Sequence, residues 1–131
     1  MGAWDETAFG NDDAADWSFE LIEAEDPLEV IEETLDLAKA GGYLAAPDGS
    51  LIVAAAGIVA AACGRTPNGL PTDLGIWLGG KEHTFRPAST QALAALRRVR
   101  TEPSELLDLW KDTEDFAAWC ADLDSIADAL V

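Results

Sequence analysis

The thirteen-residue stretch "LIVAAAGIVAAAC" (Leu51–Cys63) decides how the chain folds, because it is apolar on every side. A helix without a polar face has to be covered by other segments all round. The stretch is too short to cross a bilayer, since a helical span needs about twenty apolar residues. It therefore predicts a central, alanine-rich helix that Asp48 or Ser50 caps at its start and Gly64 ends.

The segments on either side also carry a helical period. Glycine and proline divide the chain into pieces with apolar residues at spacings of three and four, and no piece shows two-residue alternation between hairpin turns. Helices are predicted after Asn11, from Pro27 to the Gly41-Gly42 pair, from Pro71 to Leu78, from Pro87, from Pro103-Ser104 and after Asp112 or Thr113. "KEHTF" (81–85) is predicted to be irregular. We predict an all-α fold, a compact single-domain bundle of five to seven helices over residues 1–131.

Charge is distributed in three blocks. The net charge of −17 divides into 14 acids and 1 base over residues 1–50, 2 acids and 6 bases over 51–100, and 9 acids and 1 base over 101–131. Such a surface opposes binding to nucleic acid phosphates, and the chain has no zinc-finger spacing or basic helix. We expect a basic protein as partner, and no nucleic acid.

The start of the chain and the cysteines indicate the compartment. Residues 1–20 lack the basic region and apolar run of a secretion signal, so we expect a cytoplasmic protein without a membrane partner. Cys63 and Cys120 have no Cys-x-x-Cys spacing, and we expect two buried reduced thiols rather than a disulfide.

Motifs of known chemistry are missing from the sequence. It has no phosphate-binding glycine motif, and the Gly-Gly pairs at 41–42 and 79–80 fall where helices should stop. The single histidine, His83, supplies neither a nucleophile with its base nor a di-iron bundle, which needs two histidines. We expect no catalytic residue, cofactor or bound metal, and a non-catalytic protein is favoured over an enzyme.

One enzyme hypothesis stays open. Glu29-x-x-Glu32 and Glu105-x-x-Asp108 each place two acids on one helical face, as in the magnesium sites of all-α nucleotide pyrophosphatases. In that family the second pair lies much nearer in sequence. A hydrolase that uses Mg²⁺ or Mn²⁺ is thus one alternative, and a structural homo-oligomer is another.

The first two predicted helices carry acidic stripes. The acids are Asp13, Asp16, Glu20 and Glu23 on the first helix, and Glu29, Glu32 and Asp36 on the second. Like charges at these spacings cost up to about 0.5 kcal/mol per pair. Either the stripes are solvated faces partly neutralised by Arg97, Arg98 and Arg100, or they bind a basic partner or a divalent cation. These seven acids are the candidate partner-binding residues.

The opening "MGAWDETAFGNDDAADW" (1–17) has a structural explanation. Asn11 is predicted to cap the first helix by accepting a hydrogen bond from the backbone of Ala14, with Asp12 in the first turn. Trp4 and Phe9 are predicted to pack on the core.

This opening also resembles that of the bacterial domain of unknown function 4259 family. That family begins with a stretch like Met-Gly-Ala/Thr-Trp-Gly-x-Gly-x-Phe-Asp-Asn-Asp-x-Ala-x-Asp-Trp, and the matching residues are Met1, Gly2, Ala3, Trp4, Phe9, Asn11, Asp12, Ala14, Asp16 and Trp17. Asp5 and Thr7 stand where the family usually has glycine, and Gly10 stands where it usually has an acid. "GGYLAAPDGSLIVAAAGIVAAACG" and "SELLDLW" look like the family too. The resemblance implies no established activity.

Together these patterns favour a small acidic interaction protein. A sharper version of this hypothesis is an immunity or antitoxin protein that neutralises a basic toxin or nucleic-acid enzyme.

If the opening aromatics pack on the core, Trp4→Ala and Phe9→Ala should each lower the free energy of unfolding by about 3–5 kcal/mol, as large aromatic truncations in cores do. Urea denaturation of the two variants measures this. A loss below about 1 kcal/mol for both would mean that the rings are exposed.

Overall fold

Leu51–Cys63 lies at the centre of the bundle in the computed structural model, which describes residues 5–131. It forms most of helix α3 (Ala46–Ala62), of whose 17 residues 12 are buried. The other helices are α1 (Asp12–Glu23), α2 (Pro27–Asp36), α4 (Thr72–Leu78), α5 (Glu82–Phe85), α6 (Ser89–Val99), α7 (Glu105–Lys111) and α8 (Phe116–Leu130). Short 3-10 turns follow α2 and α5, at Leu37–Lys39 and Arg86–Ala88.

The predicted all-α fold is confirmed. Residues 5–131 hold seven helices of at least seven residues, the single turn α5, and no strand. α3 packs against α1, α2, α5, α6, α7 and α8. The predicted central helix is therefore surrounded by its neighbours, as a helix apolar on all sides requires.

Glycines in α3 let neighbouring segments come close to its backbone. A Cβ at Gly57 would lie 3.2 Å from Cε2 of Phe9, and one at Gly49 would lie 3.2 Å from Cβ of Leu106. Phe9 is 4% exposed, so its ring is fixed between α3 and the rest of the core. The close packing of the N-terminal loop and of α7 against α3 therefore uses the space that a side chain at Gly57 or Gly49 would occupy.

The start of α3 differs from the prediction. The helix begins at Ala46, so Asp48 and Ser50 lie inside it and neither is the N-cap. Instead the Glu105 carboxylate (Oε1) of α7 accepts a hydrogen bond of 2.8 Å from the Ala46 backbone N–H. The local-cap prediction is wrong because a residue remote in sequence satisfies this backbone group.

Backbone pairing brings Glu105 to that position. The Leu44 N–H donates to the Pro103 carbonyl at 3.1 Å, and the Glu105 N–H donates to the Leu44 carbonyl at 2.8 Å. The Arg98 guanidinium donates to the carbonyls of Gly42 and Pro103 at 2.9 Å each. The loop before α3 is thereby fixed to the start of α7.

Two further predictions of local structure are wrong. "KEHTF" is not irregular, because Glu82–Phe85 forms the single turn α5 and the Phe85 side chain is fully buried. The last helix begins at Phe116 with Asp115 at its N-cap position, whereas the Thr113 hydroxyl donates to the Trp110 carbonyl at 2.7 Å. Burial of the Phe85 ring explains the turn α5, and the turn that follows α7 delays the start of α8. A local capping pattern shows neither effect.

Both cysteines are free, as expected, but they are not buried. Cys63 is exposed just after α3, and Cys120 is half-buried in α8. The expectation of two buried thiols is wrong because both lie at the margin of the core.

Gly57→Ala and Gly75→Ala make a matched pair that tests the close approach of Phe9. Alanine is favoured over glycine inside a helix by about 1 kcal/mol, and at Gly75 in α4 the new Cβ meets only Leu70, at 3.8 Å. We expect Gly75→Ala to raise the free energy of unfolding and Gly57→Ala to give no gain, because its Cβ presses on the Phe9 ring. Equal gains in urea denaturation would contradict this packing.

Candidate functional site

All seven candidate partner-binding acids are exposed on α1 and α2, and we call this set the acidic face. Its members are Asp13, Asp16, Glu20, Glu23, Glu29, Glu32 and Asp36. Asp36 has partners, since its Oδ1 lies 3.0 Å from the Lys39 ammonium and accepts a 2.9 Å hydrogen bond from the Gln91 side chain. Within residues 5–131 the other six side chains form no hydrogen bond or ion pair.

The arginines expected to neutralise the acidic face are engaged elsewhere or unpaired. Arg98 donates to backbone carbonyls, and Arg100 pairs with Asp124 of α8. Arg97 is exposed and forms no ion pair with any residue from 5 to 131. These arginines therefore form no direct ion pair with the acidic face in the part of the chain that the structure describes, and of its acids, which are all exposed to solvent, only Asp36 has a side-chain partner there.

A buried hydrogen bond joins the two helices of the acidic face. The Trp17 indole N–H of α1 donates to the Thr34 hydroxyl of α2 at 3.0 Å, and that hydroxyl donates to the Val30 carbonyl at 2.8 Å. Asn11 caps α1 as predicted, since its Oδ1 accepts from the Ala14 N–H at 2.8 Å. These hydrogen bonds fix the inner sides of α1 and α2, so that the acids of both stripes lie on the solvent side.

The loop before α1 docks on the core through Phe9, as predicted. Trp4 lies outside the described residues. Asp5 folds back over the loop: its Oδ1 accepts from the Thr7 N–H at 2.8 Å, and a Cβ at Gly10 would lie 1.9 Å from that oxygen. The three departures from the family pattern, Asp5, Thr7 and Gly10, therefore form one interacting unit, in which a side chain at Gly10 would displace the Asp5 carboxylate.

A cavity of about 410 Å³ opens between this loop, α3 and α7. Carboxylates at its margin come from Asp5, Glu6, Asp13 and Glu105. Apolar groups of its wall come from Val53, Leu106, Leu109, Trp110 and Trp119. Ser50 also lines it. The structure brings only Asp13 of the acidic face to this cavity, where it joins three acids that were not predicted to lie beside it.

The cavity could not be predicted from the sequence, because its lining comes from segments far apart along the chain. The Trp110 and Trp119 rings stack with centroids 6.3 Å apart, so the end of α7 and the start of α8 form one aromatic wall. A signal in the sequence is the hydroxyl of Ser50, next to the apolar stretch Leu51–Cys63. It points to a contact with something polar beside α3.

A carboxylate is also buried beneath the opening loop. Asp122 of α8 is 4% exposed, and its Oδ1 accepts from the Asn68 side chain at 3.4 Å while Oδ2 has no partner. Burial raises the pKa of Asp122, and the Glu6 and Asp5 carboxylates act in the same direction, against the Asn68 side chain and the Ala8 backbone N–H. The loop therefore lies over a group that is costly to ionise.

Of the two carboxylate pairs in the hydrolase hypothesis, the one on α7 makes contacts within the protein. Glu105 caps α3, and Asp108 lies 3.2 Å from the Lys111 ammonium. In the described ranges no three His, Cys, Asp or Glu residues form a group that could hold a metal ion. The structure thus adds no geometric support to that hypothesis.

No helix between residues 5 and 131 combines the length and apolar character needed to cross a membrane.

The fold and its surface define a small all-α domain with an acidic face and an adjoining cavity. The chain belongs to the family described as "Domain of unknown function (DUF4259)", whose model matches residues 2–122. The resemblance found in the opening therefore extends over most of the chain. No curated protein and no solved structure matches the chain.

Asp122→Asn should reveal the cost of the buried charge as a pH dependence. Because the pKa of Asp122 is raised in the folded state, the protonated form favours folding, and this contribution is lost as the pH rises from the unfolded value, about 3.9, through the folded one. We expect the free energy of unfolding of the variant, relative to wild type, to increase with pH over this range.

Asp16→Asn is the matched control, since it removes the same charge from an exposed position. Urea denaturation at a series of pH values compares the three proteins. If the advantage of Asp122→Asn over Asp16→Asn does not grow with pH, the buried ionised carboxylate is not a cost to folding.

Proposed function

We propose that the protein is a non-catalytic interaction module that binds a basic protein through its acidic face. The observation that carries the proposal is that six of the seven acids of this face have no side-chain partner within residues 5–131. Repulsion at i,i+3 and i,i+4 costs up to about 0.5 kcal/mol per pair. A basic partner relieves this repulsion.

The uncompensated charge also suits fast recognition. Complementary charge accelerates diffusional encounter and excludes like-charged partners, and both effects weaken as salt is added. The hydrogen bond between Trp17 and Thr34 keeps the two stripes in a fixed relation, so the face presents its acids without reordering two helices. In an immunity or antitoxin role, the domain would cover the basic surface with which a toxin or nucleic-acid enzyme meets its own target.

The same charge argues against self-association through this face. A symmetric dimer would place the same acids against each other across the interface. A homo-oligomer would therefore have to use a different surface of the bundle.

Charge reversal of Glu29→Lys with Glu32→Lys tests the proposal. Basic proteins retained from a native cell extract by the wild-type protein are purified, and the Kd of each is measured by calorimetry at low and moderate salt. We expect the double variant to raise the Kd by at least about tenfold at low salt, because two attractive contacts become repulsive.

Asp112→Lys with Glu114→Lys is the control, because these exposed acids lie between α7 and α8 and give the same change in net charge. A partner that loses affinity equally in both double variants responds to net charge alone. That result, or the retention of no basic protein at low salt, would remove the proposal.

A further inference from the structure

The cavity beside α3 contains a polar group without a partner. Ser50 is 8% exposed and lines the cavity, and its hydroxyl forms no hydrogen bond within residues 5–131. A serine of an α-helix often donates to the carbonyl four residues earlier, as Ser18 does to Ala14 at 2.8 Å. The serine as a whole is buried, yet its hydroxyl has no protein partner beside the cavity, so a ligand in the cavity can supply a hydrogen bond that the described chain does not.

The charges at the margin of the cavity determine the sign of that ligand. Asp13 has no side-chain partner among the described residues. Glu105 uses Oε1 to cap α3, and Asp5 uses Oδ1 to hold Thr7. Each of these two carboxylates therefore keeps an oxygen that accepts no hydrogen bond within the described chain, and with Glu6 nearby a cation is favoured over an anion or a neutral group.

The wall of the cavity determines the rest of the ligand. Leu109 is 39% exposed, and it lines the cavity together with the Trp110 and Trp119 rings. Such a wall suits an apolar stem, and aromatic rings also attract cations. The volume of about 410 Å³ is in the range of small-ligand sites.

We infer that this cavity is the specificity pocket for one basic side chain of the protein partner, a guanidinium or ammonium group carried on an apolar stem. The inference rests on the proposed function. It places one basic side chain of the partner beside the acidic face, because Asp13 belongs both to that face and to the pocket. The stem packs on Leu109 and the tryptophans, the cation meets the carboxylates of Asp13 and Glu105, and a ligand N–H donates to the Ser50 hydroxyl.

The test uses three probes that differ only in the feature under question. They are the pentapeptide acetyl-Gly-Gly-Arg-Gly-Gly-amide, the same peptide with neutral citrulline in place of arginine, and free butylguanidinium. Binding is followed by NMR through the indole N–H of Trp119 and the backbone N–H of Ser50. We expect the arginine peptide to bind about tenfold more tightly than the citrulline peptide, as expected for a charge-assisted contact.

Two charge-matched double variants locate the site. Asp13→Asn with Glu105→Gln removes two charges from the pocket, while the glutamine can still accept from Ala46. Asp16→Asn with Glu32→Gln removes two charges from the acidic face alone. We expect the first to weaken the arginine peptide by about tenfold and the second by much less. Ser50→Ala, which removes only the hydroxyl, should weaken it as well.

Three results would overturn the inference. The first is that the arginine and citrulline peptides bind alike, and the second is that the two double variants have equal effects. Either result excludes a cation pocket, yet the proposed function survives if Glu29→Lys with Glu32→Lys still weakens the basic partner. Butylguanidinium that binds more tightly than the arginine peptide would assign the cavity to a free small cation instead of a protein side chain.

Discussion

The burial of α3 on all sides is the constraint on which the rest of the structure depends. A helix that offers no face to water fixes the positions of its neighbours, because each direction around it has to be filled. Gly57 and Gly49 show how closely this is done, with the Phe9 ring and the Leu106 side chain packed where a Cβ would be. The helix start follows the same logic, since α7 supplies its cap through Glu105.

The placement of the acids follows from this packing. α1 and α2 use their inner faces for the core and for the hydrogen bond between Trp17 and Thr34, which leaves their acidic stripes outside. Phe9 docks the opening loop on α3 beside Gly57, and the Glu105 cap holds α7 against the start of the same helix at Ala46. The cavity lies between the opening loop and α7, and Leu106, Trp110 and Trp119 of the core also line the proposed binding pocket.

Periodicity and caps made the helices predictable. Short segments of sequence were enough to predict the apolar helix α3, the Asn11 cap and the docking of Phe9, and the structure confirms all three. What could not be predicted depends on contacts between distant segments. Glu105 caps α3 from 59 residues away, and Arg98 binds backbone carbonyls instead of the acidic face. The cavity was missed for the same reason: Asp13, Ser50 and Glu105 all line it, yet each was assigned a separate role from the sequence.

The central claim is that the acidic face is a set of uncompensated charges, available to a basic protein. The measurement that tests it most directly is the free energy of unfolding in sodium, magnesium and manganese chloride at matched ionic strength. Screening predicts a gradual rise that does not saturate and is the same for all three salts. A saturating gain at low concentration of one divalent ion would mean a specific carboxylate site for metal. That result would contradict this account and favour the metal-dependent hydrolase.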